Sequence, residues 1–177
     1  MKIYDIVILG AGASGLMCAS NLSKKKSVAI IDGNDRVAKK LKISGGGKCN
    51  ITNSSVSLNN FDGNQELLAG VLKRFSKDNL LQFLDRNRVA LELRKNRYYF
   101  CQNSSDDIID VLKRGVKHSE LFLNHTIIQV KKLHDNFEVK TNNGVFQAKN
   151  IVVATGGKSF KTLGASEIGL DIAKILV

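Results

Sequence analysis

Residues 10–15 read GAGASG, filling the pattern G-x-G-x-x-G at Gly10, Gly12 and Gly15, and Asp32 follows 17 residues after the last glycine. This is the spacing of a pyrophosphate cradle. Gly10 permits a tight turn, Gly12 lets backbone approach a phosphate, and Gly15 lets a helix pack on a sheet. The helix start behind the loop offers free N–H groups and partial positive charge. Asp32 stands where a carboxylate accepts hydrogen bonds from ribose hydroxyls. These residues predict an adenine dinucleotide, FAD or NAD(P), without separating the two.

A second glycine cluster, ISGGGKCNITN, occupies residues 43–53. Its thiol, Cys49, lies beside Lys48 in a loop rich in N–H groups, surroundings that lower a thiol pKa. No catalytic residue follows from the sequence: Cys49 is a candidate for redox catalysis, but a small packed residue beside a cofactor is the preferred reading. No second cysteine stands at C-x-x-C or C-x4-C spacing, so a dithiol relay is not encoded locally. Cys18 falls on the core face of the first helix. His118, His125 and His134 show no ligand spacing, and no metal site is expected.

The elements that must position these residues follow from periodicity. The apolar run 3–9 predicts a buried strand, Leu16, Ala19 and Leu22 predict a helix, and 27–31 predict a second strand. A strand–helix–strand unit of this kind implies parallel neighbours with a right-handed crossover. A long glycine-rich connection, with a helical turn or two around RVAKKL, leads to amphipathic helices over 65–75 and 77–86, the second capped by Ser76. Strands are expected over 89–94 and 97–101 with a Lys-Asn turn, then a helix capped by Ser104 or Ser105. Four short strands follow, the later ones joined by HDN and by the hairpin signal at Asn143-Gly144, and then NIVVAT as a further buried strand. The fold class expected is α/β, a Rossmann-like parallel sheet with crossover helices plus a small antiparallel β-meander. With no repeat or composition shift, residues 1–177 read as one dinucleotide-binding domain.

A chain of 177 residues with 43% hydrophobic and 24% charged content can build a real core and is not a disordered sequence. No apolar run approaches the roughly 20 residues of a membrane span. The N-terminus lacks the pattern of a secretion signal, so a cytoplasmic protein is expected. The net charge of +11 is dispersed in short basic clusters without aromatic interleaving. That predicts a solvated basic surface, a small-molecule substrate and no specific nucleic acid, with some lysines attracting a phosphorylated cofactor. An oligomeric state is not encoded.

The stretch IVILGAGASGLMCASNLSKK, continued by VAIIDGNDRVAKKLKISGGGKCNITN, closely resembles the start of the bacterial BaiN-like (YhiN-like) flavoproteins. These belong to the flavoproteins with two dinucleotide-binding domains, a group that includes glutathione reductase. Ser44 to Asn53 matches the family segment position by position, with Lys48 where arginine is common. NIVVATGGKSF and TLGASEIGLDIAK resemble the strand that returns to the cofactor and its continuation into a helix. The resemblance implies FAD, with NAD(P)H as electron donor and hydride passed to an unsaturated or carbonyl-bearing small molecule. It implies that Gly10, Gly12, Ala13, Ser14 and Gly15 hold the pyrophosphate and Asp32 the adenosine ribose. Lys40, Ser44, Gly45, Gly46, Asn50 and Thr52 would line the stretch toward the flavin, with Lys40 and Lys48 adding positive charge. Ile127 would present backbone to the adenine, and Ala154, Thr155 and Gly156 would pass close to the cofactor.

Four departures stand out. Asp32 replaces the commoner glutamate, Cys101 and Lys161 stand where proline is expected, and family members are more than twice as long. The resemblance thus implies the N-terminal portion of such a protein, without the substrate-side insertion and C-terminal return. Alternative readings are an NAD(P)-binding oxidoreductase domain without flavin, a folded fragment with little or no cofactor binding, and an RNA-associated flavoprotein.

Overall fold

A computed structural model of the chain describes residues 2–157 and 167–176. Residues 158–166, which carry KSF and most of TLGASE, lie outside the described residues. The chain divides into two compact units, one formed by Met1–Leu41 with Leu112–Val177 and the other by Lys42–Val111.

The first unit is built on a six-stranded sheet in the order β6-β2-β1-β9-β8-β7. Its strands are β1 (Ile3–Leu9), β2 (Val28–Ile31), β6 (Glu120–Phe122), β7 (Ile127–Lys132), β8 (Phe137–Thr141) and β9 (Gly144–Val153). β6, β2, β1 and β9 run parallel, while β7 and β8 add an antiparallel meander at one edge. A strand covered on both faces needs a continuous apolar run. Accordingly Val7, Ile8 and Leu9 of β1 are fully buried, as are Ala29, Ile30 and Ile31 of β2. Val7, Leu9, Ala29 and Ile31 join Ile172 of the helix α6 (Ile168–Leu176) in one core cluster. The opposite face receives α1 (Ala13–Ser20), where the missing Cβ of Gly15 would stand 3.3 Å from Ile8 Cγ2.

Several boundaries moved. α1 closes at Ser20 with Asn21 as its cap, so Leu22 lies beyond the helix, although its N–H still donates to the Ala19 carbonyl. The segments VFQAK and NIVVAT, expected as two strands, form the single strand β9. Its first half pairs with β8 and most of its length with β1, so Ala148 faces both Phe137 and Tyr4. The first of the four expected short strands, β6, leaves the meander and pairs in parallel with β2. In the hairpin, Asn142 and Asn143 form the turn and Gly144, at φ 152°, closes it opposite Thr141.

The second unit carries a three-stranded antiparallel sheet, β3-β5-β4, from β3 (Asn50–Asn53), β4 (Leu91–Arg94) and β5 (Tyr98–Cys101). β4 and β5 are joined by Lys95, Asn96 and Arg97, the first two left-handed at φ 51° and 49°. Two such residues in succession are what a type I′ turn requires, and the Arg97 N–H closes it on the Arg94 carbonyl at 3.0 Å. Before β4 come α3 (Gln65–Arg74) and α4 (Lys77–Arg86), where Ser76 caps α4 by accepting from the Asn79 N–H. At the start of α5 (Asp106–Gly115), Ser104 Oγ accepts from the Asp106 N–H at 3.1 Å. Ser105 does otherwise: its hydroxyl donates to the Lys42 carbonyl at 2.8 Å.

Candidate functional site

In the first unit, Gly10 to Gly15 form the turn from β1 into α1. Gly10 sits at φ 114°, and a Cβ there would lie 2.4 Å from the Ala154 carbonyl oxygen. A Cβ on Gly15 would lie 1.9 Å from the Gly10 carbonyl oxygen. Both glycines are thus dictated by the protein's own packing. Gly12 is not, since nothing lies within 4 Å of its missing Cβ. It is the N-cap of α1 and provides no side-chain cap, and Ala13 and Ser14 behind it are exposed. The first turn of α1 therefore presents uncapped N–H groups beside open space, which suits an anionic phosphate. The chain's residues fit a dinucleotide pyrophosphate at this point.

Asp32 ends β2 half-buried. Its Oδ2 accepts from the Ala11 N–H at 2.7 Å, and its Oδ1 from Asn34 N–H and Nδ2 at 2.8 and 2.9 Å. A carboxylate offers about four acceptor positions, so a hydroxyl donor can still be accommodated. The backbone around Asp32 is tied to the approach to β7. Its N–H donates to Phe122 O and its carbonyl accepts from the His125 N–H, both at 2.9 Å. Thr126 packs on Gly33, whose Cβ would lie 3.2 Å from Thr126 Oγ1. The next residue, Ile127, is half-buried at the margin of the core cluster. Phe122, His125 and Phe146 form an edge-to-face aromatic group beside this junction, with centroids 4.8–5.7 Å apart.

Ala154, Thr155 and Gly156 leave β9 alongside the glycine turn, with Ala154 N–H donating to Leu9 O at 2.9 Å. Gly156 is left-handed at φ 77° with nothing near its missing Cβ. Lys40 is exposed on the short helix α2 (Lys39–Ile43), next to Lys39, which pairs with Asp35 at 3.5 Å. The structure thus gathers Gly10 to Gly15, Asp32, Ile127 and Ala154 to Gly156 around the carboxyl ends of the parallel strands. Ligands of open α/β sheets bind at that edge.

Ser44, Gly45, Gly46, Asn50 and Thr52 belong to the second unit. Ser44–Gly47 is a tight turn in which Gly45, Gly46 and Gly47 are all left-handed, at φ 57°, 67° and 85°. Successive left-handed residues exclude most L side chains. Gly45 is also confined, because a Cβ would meet Phe100 Cε1 at 2.7 Å and the Asn50 N at 2.8 Å. Gly46 and Gly47 point their missing Cβ atoms into open space. Asn50 and Thr52 lie on β3 opposite Phe100 and Tyr99.

Cys49 differs from expectation. It is buried at 1% exposure, and burial pushes its thiol up despite a hydrogen bond with Ser44. A neighbouring lysine in sequence does not produce a thiolate when the side chain is removed from water. The low-pKa reading of Cys49 is therefore corrected to a buried protonated thiol. A second buried thiol, Cys101, ends β5, where its N–H donates to the Lys48 carbonyl at 2.9 Å. Asn34 and His125 went unnoticed as well. The DGND turn signal could have flagged Asn34 as a local partner of Asp32, whereas nothing short of the fold brings His125 there.

Known proteins match this chain over nearly its whole length. The profile of the HI0933-like protein Rossmann domain matches residues 4–176. The chain is 30% identical over 176 residues to a ribosomal RNA dihydrouridine synthase of Haemophilus influenzae, covering 95% of this chain and 44% of that protein. It is 25% identical over 176 residues to a 3-dehydro-bile acid delta(4,6)-reductase of Clostridium scindens, covering 96% of this chain and 43% of that protein. The chain therefore spans less than half the length of these relatives. Among solved structures, Thermovibrio ammonificans THI4 superposes with a TM-score of 0.58 at 17% identity, covering 88% of this chain and 58% of that one; this likeness concerns the fold. With nearly its whole length matched, the chain belongs to the HI0933-like Rossmann domain family, the BaiN-like flavoprotein oxidoreductases that its glycine segments resemble.

Proposed function

We propose that this chain is the FAD-binding portion of a flavin-dependent reductase that takes hydride from NAD(P)H and delivers it to a carbon–carbon double bond conjugated to a carbonyl. The observation that carries the reading is the uncapped start of α1 behind Gly12, with open space where its side chain would be. When bound, the flavin supplies the acceptance and donation of hydride. The chain's part is to bind and orient. Gly12, Ala13 and Ser14 offer N–H groups to the pyrophosphate, Asp32 accepts from the ribose, and the backbone near Ile127 borders the adenine. Ala154 to Gly156 line the cofactor's path, while Ser44, Gly45, Gly46, Asn50 and Thr52, with Lys40 and Lys48, serve the stretch toward the flavin.

The substrate class draws on the relatives' names. A dihydrouridine is a uridine whose ring double bond, conjugated to a carbonyl, has been saturated, and a delta(4,6)-reductase of a 3-oxo steroid saturates the same kind of bond. A small unsaturated carbonyl compound is the first reading and the cytoplasm the expected compartment. The second is a uridine within RNA, favoured by the net charge of +11 and the ribosomal RNA relative.

The test begins with the purified chain mixed with FAD, separated from free ligand and scanned for flavin absorbance. Retained flavin bands are expected. A chain that stays colourless while binding NAD(P)H would overturn the FAD reading. A protein extended to the relatives' length is then assayed for NAD(P)H oxidation with a small enone in one arm and a uridine-containing RNA in the other.

A further inference from the structure

β8 turns into β9 at Asn142 and Asn143, both exposed, and the buried Thr141 sets that turn. Its hydroxyl donates to the Gly144 carbonyl at 2.9 Å and accepts from the Asn143 N–H at 3.2 Å. Both asparagines then reach the segment before β7. The Asn142 N–H donates to the Thr126 carbonyl at 3.1 Å, and Asn142 Oδ1 accepts from the Thr126 N–H at 2.7 Å. Asn143 Nδ2 donates to the carbonyl of Asn124 at 2.7 Å. The backbone partners fix which amide atom is which, because an N–H only donates and a carbonyl only accepts.

The same segment grips the chain just past β2. The Asn124 N–H donates to Asn34 O and the His125 N–H to Asp32 O, both at 2.9 Å. Asn34 in turn donates its N–H and Nδ2 to Asp32 Oδ1 at 2.8 and 2.9 Å. A continuous hydrogen-bonded path therefore runs from the hairpin turn to the Asp32 carboxylate, all of it within the first unit. Neither residues 32–34 nor residues 123–126 belong to a helix or strand. Their mutual position depends on these bonds and on the packing of Thr126 against Gly33.

We propose that Asn142 and Asn143 are positioning residues for the adenosine ribose. Through residues 124–126 they hold Asp32 and Asn34 in the arrangement that receives the ribose hydroxyls. Neither asparagine touches the nucleotide. Each keeps the carboxylate aimed, as the outer hydrogen bonds of a precise binding site do. The proposal rests on the dinucleotide reading of Asp32 and adds to it a turn that the sequence marks only as a hairpin.

The test uses the whole chain, with ADP and 2′,3′-dideoxy-ADP as probes in titration calorimetry. Exchanging amide for carboxylate has opposite consequences at the two neighbours. Asn142→Asp keeps the acceptor for the Thr126 N–H and should restore the binding that Asn142→Ala loses. Asn143→Asp loses the donor and sets a carboxylate against the Asn124 carbonyl. Asn142→Ala, Asn143→Ala and Asn143→Asp are each expected to weaken ADP by about fivefold or more. The dideoxy nucleotide has no hydroxyl for Asp32 and should lose far less. Without ligand, amide hydrogen exchange followed by NMR should quicken at Asn124 and His125 in the same three variants and not in Asn142→Asp. The aspartate variants are near-isosteric with the parent, so the comparison does not depend on the alanine variants folding. Equal weakening of both nucleotides, parent-like ADP binding by Asn143→Asp, or unchanged exchange at Asn124 and His125 overturns the proposal. A parent chain that binds no adenine nucleotide overturns the dinucleotide reading itself, and the role at the ribose falls with it.

Discussion

The three fingerprint glycines do different work, and substitution separates them. Gly10 and Gly15 are forced by contacts of 2.4 and 1.9 Å that a Cβ would make with the chain's own backbone. Gly12 meets nothing. Gly15→Ala is therefore expected to cost more than about 3 kcal/mol of stability, as overpacking against backbone does. Gly12→Ala should leave urea unfolding within about 0.5 kcal/mol of the parent, while weakening FAD by at least about tenfold, or ~1.4 kcal/mol, in a flavin fluorescence titration. Equal losses of stability from the two variants would remove the argument for a phosphate at Gly12. Roles at this scale were legible in the sequence where they depend on local backbone, as in the tight turn at Gly10 and the helix packing at Gly15. They were illegible where they depend on the return of distant chain. His125 reaches Asp32 only because β6 and the approach to β7 lie beside the end of β2. For Cys49 the lowered thiol pKa was wrong, because its neighbour Lys48 is visible in sequence and its burial is not, while the reading of a small packed residue fits that burial.

Among elements, the turn that carries Ser44 to Gly47 shows how a glycine run becomes a rigid device. Three left-handed glycines wind the backbone back on itself, and Ser105, just before α5, ties down both sides of the turn. The buried Ser105 donates its hydroxyl to Lys42 O and its N–H to Gly47 O, each at 2.8 Å. Ser105→Ala leaves the Lys42 carbonyl without that donor, a loss of about 1–3 kcal/mol that denaturant unfolding would read. Gly46→Ala should cost only the left-handed backbone penalty, about 1–2 kcal/mol. Gly45→Ala should cost more, because its Cβ also meets Phe100. If Gly45→Ala and Gly46→Ala prove equal, the contact with Phe100 is not restrictive. Element types were read correctly from periodicity: β1, β2, α4 with its Ser76 cap and the Lys-Asn hairpin appear where expected. Burial was not readable in the same way. The spacing of Leu67, Val71 and Phe75 gives α3 its helical pattern, yet all three remain exposed. The fusion of VFQAK and NIVVAT into β9 was hidden because one strand serves an antiparallel and a parallel partner in turn.

At the scale of the whole molecule, sheet order is a long-range property, and one side chain of β1 reaches both β9 and the residue that leads into β2. Asp5 of β1 accepts from Ser27 N–H and Oγ at 3.0 Å and from Lys149 Nζ of β9 at 3.0 Å, while its own N–H donates to Ser27 Oγ at 2.9 Å. The Ser27 backbone N–H, then Lys149 and the Ser27 hydroxyl, hold the Asp5 carboxyl well below the usual carboxylate range. An unfolded aspartate titrates near about 3.9. A folded-state pKa below that value favours the folded state whenever the group is ionised. The contribution is therefore complete above about pH 5 and declines as the pH falls from there toward the depressed folded value. Asp5→Asn should be less stable than the parent at pH 7, and the two unfolding curves should converge between pH 4 and pH 2. Acid also adds positive charge to a chain already at +11, and the resulting self-repulsion lowers stability. That repulsion acts on both proteins almost equally, so the difference between them isolates the Asp5 clamp. A gap that stays constant from pH 7 to pH 2 would mean that Asp5 acts through packing alone.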